Sequence, residues 1–174
     1  MELFEAIRKR RSCRNFVPGS IPREDLLRMV DCARLAPSAS NSQKWRFVVT
    51  SDQGLVAEIL SHIPKTNKYY PTNEQGYFEG TNAIITVALP GNWAYSRQDA
   101  GAAVQTICLA ATALGYGSCW VEGQLQGCME HLRRILTVPE DYEIRTMVML
   151  GRVQKWPEPP PKKGLDDVVS WQTW

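Results

Sequence analysis

No stretch constrains the fold of this chain more than Ser96 to Leu114. It reads as one long helix, rich in alanine, with apolar residues on most of its circumference. A helix that is hydrophobic all round has to be buried all round, and its small side chains let another helix approach closely. At 174 residues the chain is one domain by length, large enough to bury about 70% of its unfolded surface. A second subunit is then the natural cover for whatever face of the helix the domain leaves open. The most apolar window, Ala100 to Leu114, contains Gln105 and Thr106 and falls short of the roughly 20 apolar residues a membrane span needs. No membrane partner is expected.

Shorter patterns flank this helix. Leu3, Phe4 and Ile7 mark an amphipathic segment whose last turn should hold Arg8, Lys9, Arg10 and Arg11. After the turn Pro18-Gly19-Ser20, Pro22 is placed as a first helical residue, with Glu24 and Asp25 in the first turn. Leu26, Leu27, Val30 and Ala33 carry that helix to Ala36, where Pro37 disfavours continuation. Trp45 to Thr50, with Trp45, Phe47 and Val49 on one face, predicts a strand. Ser51 or Asp52 caps a helix carrying Leu55, Val56, Ile59, Leu60 and Ile63, which Pro64 ends.

Lys65 to Gly80 has no period but holds Tyr69, Tyr70, Tyr77 and Phe78. A loop of that length is usually mobile or functional, and its aromatics either cover the core or line a pocket. Asn82 to Leu89 predicts a strand buried on both faces. Gly115-Tyr116-Gly117-Ser118 breaks the long helix, and Cys119 to Gly123 leads into another helix with Leu125, Leu132, Ile135 and Leu136. The two glycines match a dinucleotide loop only weakly, since they follow a helix rather than a strand. Arg145 to Leu150 is a further strand. The proline-rich tail should be extended, and its Trp171 and Trp174 must dock somewhere or expose a large apolar surface.

The chemistry gathers near the start, in Arg10-Arg11-Ser12-Cys13-Arg14. Guanidinium forks match phosphate oxygens two at a time, and a serine hydroxyl beside them can take a third, so the stretch reads as a phosphate clamp. The blander reading is of a solvated run of cations favoured by the negative end of a helix dipole. Twenty basic against eighteen acidic residues leave a net charge of +2, too balanced to argue for nucleic acid or a membrane surface as the main partner. The N-terminal bases are followed by Asn15 to Ser20 rather than an apolar run, so no secretory signal is expected. Five cysteines without CxxC spacing and two histidines argue against disulfide frameworks and metal sites and fit a reducing cytoplasm.

Taken in order, these motifs resemble those of the FMN-dependent nitroreductase family. Arg10-Arg11-Ser12-x-Arg14 is similar to its N-terminal phosphate motif. Ala36-Pro37-Ser38-Ala39-Ser40-Asn41-Ser42-Gln43-Lys44-Trp45-x-Phe47 is similar to its second signature, and Leu114 to Gly123 to its third. Leu150-Gly151 with Pro160 to Leu165 resembles the closing segment. The chain departs from the family at Lys44, where proline is usual, and at the tail base, where lysine replaces arginine.

The resemblance implies a single α+β domain over residues 1–174, a mainly antiparallel sheet flanked by helices, with the tail 152–174 embracing a partner subunit. It implies a homodimer with FMN at the interface. Arg10, Arg11, Ser12 and Arg14, with Lys162 or Lys163, would hold the phosphate. Pro37, Ser38, Ser40 and Asn41 would approach the flavin of the partner subunit, supported by Gln43. Glu122 and Gly123 would present backbone N–H groups to the flavin N5 edge. The activity implied is hydride or electron transfer from NAD(P)H to a small organic acceptor, a nitroaromatic or quinone, in ping-pong turnover and with no catalytic side chain or metal. A non-catalytic flavin store or redox sensor is the alternative, and a nucleic-acid module using Arg8 to Arg14 a more distant one. Cys119, beside the expected flavin edge, is either redox-active or simply packed.

Overall fold

A computed structural model of the chain describes residues 1–64 and 78–174. The tyrosines Tyr69, Tyr70 and Tyr77 of the aperiodic loop lie outside the described residues. In chain order the helices are α1 (Leu3–Lys9), α2 (Arg23–Arg34), α3 (Gln53–His62), α4 (Ser96–Ala113) and α5 (Met129–Ile135). The strands are β1 (Arg46–Thr50), β2 (Ala83–Pro90), β3 (Gly117–Val121) and β4 (Tyr142–Gly151). They form one sheet in the order β1-β2-β4-β3, every pair antiparallel.

The sheet is buried on both faces because β2 has no polar face. Ala83, Ile85, Val87 and Leu89 point to one side and pack with Met29 and Ala33 of α2 and with Ala103, Val104 and Ile107 of α4. Ile84 and Ala88 point to the other side and pack with Val56 and Ile59 of α3 and Leu132 of α5. Helix α4 is therefore the axis of one of two cores. Its own chain covers most of it, while Gln105 stays exposed.

Several boundaries differ from the sequence reading. Helix α1 ends at Lys9, with Arg10 as its C-cap, so Arg10 and Arg11 lie beyond its last turn. In α2, Pro22 is the N-cap rather than the first helical residue. Leu27 is 52% exposed, and the buried position belongs to Met29. The strand at Trp45 begins one residue later, and β1 is an edge strand on which Val49 is exposed and Thr50 buried. Strand β4 starts at Tyr142, three residues before Arg145.

The largest departure is β3. Five residues too short to show a period pair with β4, with Gly117 opposite Gly151 and Val121 opposite Met147. A strand therefore starts at the second of the two glycines, and the geometry is not that of a dinucleotide loop. The helix expected after it is a 3-10 turn, Gly123–Leu125, followed by the short α5.

The segment after α1 is stitched along this sheet. Ser12 bridges Ser118 in parallel, and Val17 bridges Arg152. Cys13 N donates to Ser118 O at 2.9 Å, Phe16 N to Glu79 O at 2.9 Å and Val17 N to Arg152 O at 2.8 Å. Two glycines make room for it. A Cβ on Gly117 would lie 3.0 Å from Cys13 Sγ and 2.5 Å from Val153 Cγ1, and one on Gly151 would lie 2.7 Å from the Phe16 ring. Asn82, almost fully buried, closes the junction: its Nδ2 donates to Val17 O and Gly80 O, and its Oδ1 accepts from Arg152 N.

Candidate functional site

Where α1 ends, its last carbonyls need donors. The Arg11 guanidinium supplies them, Nη1 donating to Arg8 O at 2.6 Å and Arg10 O at 2.8 Å. Arg14 Nη1 donates to Ser12 O at 3.2 Å. The chain turns there against a cavity of about 350 Å³. One wall is Arg10, Arg11, Ser12 and Arg14, and the other is the tail, with Pro157, Glu158, Pro160 and Lys162. Lys9 Nζ sits 5.4 Å over the Trp156 ring, at the point where the tail crosses α1. The structure thus brings together residues about 150 positions apart in sequence, including Lys162 but not Lys163 among the lining residues.

Four cationic side chains face one carboxylate in this cavity. The buried Arg11 Nε has no hydrogen-bond partner among the described residues. Forked and point-charge donors around a small cavity suit a phosphate monoester, and a terminal phosphate fits there better than an apolar group. Cys13, behind the cavity, has its thiol pushed up by burial against the opposing pull of Arg10, Arg14 and Arg11.

The other expected site residues lie elsewhere. Glu122 and Gly123 are exposed just past the end of β3, whose start is the strand segment stitched to Ser12. Ser118 to Val121 spans about 10 Å at about 3.3 Å per residue, so the clamp and the turn at Gly123 lie toward opposite ends of β3. Gly123 opens a 3-10 turn, and the first N–H of such a turn has no partner within it. An elongated ligand with a phosphate at one end and a polar ring edge at the other matches that spacing.

Pro37, Ser38, Ser40, Asn41 and Gln43 form a compact loop between α2 and β1. Ser40, Asn41 and Gln43 all have left-handed backbones, with φ of 52°, 52° and 48°. Gln43 N donates to Ser38 Oγ at 3.0 Å and Gln43 Nε2 to Asn41 Oδ1 at 3.1 Å. Lys44 rests with its Nζ 3.9 Å over the Trp93 ring, a cation–π contact worth about 0.5–1 kcal/mol at an exposed position. That contact fixes the position where the usual proline ring would have stiffened the chain.

Cys119 is packed among Val121, Leu125, Met147 and Met149. Burial pushes its thiol up to about 12, so it is protonated at neutral pH and behaves as a small hydrophobe. The sequence reading passed over Asp99, Trp93, Asn82, Trp156 and Glu158. Their roles come from contacts across the fold, which the sequence alone does not display.

Comparison with known proteins agrees with this architecture. The sequence profile of the Nitroreductase family matches residues 7–152, and the chain belongs to that family. It is 31% identical over 158 residues, 87% of this chain and 77% of the other, to a Methanothermobacter thermautotrophicus protein provisionally named NADH dehydrogenase/NAD(P)H nitroreductase. An Archaeoglobus fulgidus protein with the same provisional name is 32% identical over 155 residues, 86% of this chain and 84% of its own. Among solved structures, a nitroreductase with bound FMN from Desulfitobacterium hafniense superposes with a TM-score of 0.79 at 27% identity, covering 98% of each chain. The fold is the α+β nitroreductase fold, and among the described residues no helix is long and apolar enough to cross a membrane.

Proposed function

We propose that this chain is a single-domain, FMN-dependent oxidoreductase that passes hydride or electrons from NAD(P)H to a small organic acceptor such as a nitroaromatic or a quinone. Donor and acceptor would use one pocket in turn, in the cytoplasm. The cavity between Arg10-Arg11-Ser12-x-Arg14 and the tail at Lys162 carries this reading, because it is a cationic pocket built from two motifs distant in sequence. The FMN-bound relative at 27% identity supports the same ligand.

Arg10, Ser12, Arg14 and Lys162 would hold the phosphate, with Lys163 as the neighbouring base, while Arg11 fixes the end of α1. The backbone N–H groups of Glu122 and Gly123 would meet the N5 edge. Bound FMN supplies hydride acceptance and onward electron transfer, so no side chain here needs to act as nucleophile or metal ligand.

A homodimer belongs to the proposal. Helix α1 leaves Leu3 61%, Phe4 70% and Ile7 48% exposed, and the tail leaves Trp171 87% and Trp174 fully exposed on the single chain. A patch of that kind calls for a partner. Helix α4 rises about 1.5 Å per residue, so its first turn, beside the Pro37–Gln43 loop, lies some 20 Å from the end that leads to the clamp. That separation favours delivery of the loop to the partner's flavin.

The test is direct. The purified protein should show a flavin spectrum that NADH or NADPH bleaches anaerobically. Arg14→Ala should weaken FMN about tenfold or more, since a charge-assisted hydrogen bond is worth roughly 1.5–3 kcal/mol, and leave riboflavin binding nearly unchanged. Equal losses for both ligands would remove the phosphate assignment. A flavin spectrum that neither nucleotide bleaches would point to a flavin store.

A further inference from the structure

The buried carboxylate of Asp99 does something that helix α4 does not need. It lies in the first turn of α4, where a negative charge is favoured by the helix dipole, and it is 3% exposed. Its two oxygens serve two different segments. Oδ1 accepts from Ala39 N at 2.9 Å and Oδ2 accepts from Trp93 Nε1 at 2.8 Å. A carboxylate offers acceptors and no donor, so both N–H groups are held at once and neither can be replaced by the other.

Both segments converge on one loop. Ala39 begins the turn Ala39–Asn41, and three of the next four residues have left-handed backbones. Such conformations persist only where the surroundings over-determine them. The hydrogen bonds of Ser38, Asn41, Ser42 and Gln43 run within the loop. Among the described residues, the bond from Ala39 to Asp99 is the one that joins it to another element. Trp93, the second partner of Asp99, also carries Lys44 on its ring at the far end of the loop. Both ends of the loop are therefore referred to one buried anion.

We propose that Asp99 is a positioning residue, whose carboxylate, with Trp93 as its second contact, locks the Pro37–Gln43 loop in the conformation it presents to the flavin. The part concerning the flavin rests on the proposed function; the coupling of Asp99 to the loop does not.

The test uses full-length protein and three variants. Asp99→Asn keeps the shape but turns an N–H donor toward one of the two N–H groups. Trp93→Phe keeps an aromatic ring under Lys44 and spares the bond to Ala39. In apoprotein, amide hydrogen exchange over residues 38–43 should accelerate at least tenfold in Asp99→Asn, with protection of Ala103 to Thr112 in α4 unchanged; Trp93→Phe, which removes the second contact and spares the bond to Ala39, should accelerate it by a smaller factor, about threefold. In FMN-loaded protein, single-turnover reduction by NADH should slow about tenfold in Asp99→Asn, with FMN affinity shifted far less. A carboxylate that merely stabilises the fold would lower the unfolding midpoint and leave loop exchange and flavin reduction in step with the rest of the protein; that result overturns the proposal.

If Asp99→Asn does not fold, Ala39→Pro removes the other half of the bond. Ser38 is already extended, with φ −131° and ψ 152°, as a residue before proline prefers. Unchanged exchange over residues 40–43 and unchanged reduction in that variant would refute the coupling. A wild-type chain that binds no FMN overturns the flavin reading alone, because the exchange measurements on apoprotein decide the Asp99 coupling separately.

Discussion

Replacing Gly151 by alanine should damage the proposed phosphate site from behind. The added Cβ would lie 2.7 Å from Cδ1 and Cγ of Phe16 and 2.8 Å from its Cβ. Changing the side-chain torsions of Phe16 can relieve the first two contacts, since χ1 moves Cγ and either χ1 or χ2 moves Cδ1. It cannot relieve the third, because the Phe16 Cβ is fixed to its own backbone, so the segment from Ser12 to Val17 has to move. That segment is held by Phe16 N to Glu79 O at 2.9 Å and Val17 N to Arg152 O at 2.8 Å. Overpacking costs about 1–3 kcal/mol, and weakening one or two such hydrogen bonds costs roughly 0.5–1.5 kcal/mol each. A total of about 1.5–6 kcal/mol corresponds to a melting temperature lower by roughly 3–24 °C for a domain of this size. The displaced clamp should also lose about tenfold in FMN affinity, about 1.4 kcal/mol. Thermal unfolding of apoprotein and titration with FMN measure the two effects. Gly127→Ala is the control, since nothing lies within 4 Å of a Cβ there. If Gly151→Ala melts within 2 °C of wild type and binds FMN normally, Phe16 does not buttress the clamp and the reasoning is wrong.

Other outcomes follow from the same contacts. If backbone amides serve the flavin edge, Glu122→Gln should keep flavin reduction within about an order of magnitude, a barrier change of about 1.4 kcal/mol. Gly123→Pro, which deletes an N–H, should slow it about a hundredfold with FMN retained; the reverse ranking in anaerobic stopped-flow would assign the role to the carboxylate. A thiol reagent at pH 8 should label Cys32 in the native protein and spare the other four cysteines, which are buried; rapid labelling of Cys119 without denaturant contradicts its packing. Burial raises the folded-state value for Cys119 from 9.0 to about 12, so its contribution to stability is complete below pH 9. It declines as the pH rises further, because the unfolded thiol ionises first, with a slope of about 1.4 kcal/mol per pH unit. Urea midpoints between pH 8 and 10.5 should therefore fall less steeply in Cys119→Ala than in wild type, and parallel slopes would argue that the thiol ionises freely in the folded state.

Which parts of this molecule can be read from its sequence depends on where the information is stored. Helix α3 is legible because its signals are local: Asp52 Oδ1 caps Leu55 N at 2.8 Å, and Val56, Ile59 and Ile63 share one buried side. Strand β2 is legible because a strand buried on both faces is apolar at nearly every position, Thr86 being the exception. Strand β3 is not, since five residues beginning with two small ones show no alternation, and what makes them a strand is the edge of β4 beside them. Leu27 and Met29 exchange roles for a related reason: the helical period fixes which residues share a side, while the packing against α4 fixes which side is inward.

The site divides along the same line. Arg10 to Arg14 draws notice by its run of guanidinium groups, whereas Pro37 to Gln43 is picked out by its resemblance to the family signature. The residues that hold them do not stand out, because a glycine, an asparagine or an aspartate has many uses. Gly151 reads as the end of a strand until Phe16 is found against it. Asn82 reads as a strand start until both ends of its amide are found bonded to Val17 and Arg152. Asp99 is one charged residue in a helix until its two oxygens are followed to Ala39 and Trp93. In each case the chemistry at the surface is written in one segment and its geometry in another. Substitutions at these three supports should therefore alter ligand handling without touching any residue that meets the ligand.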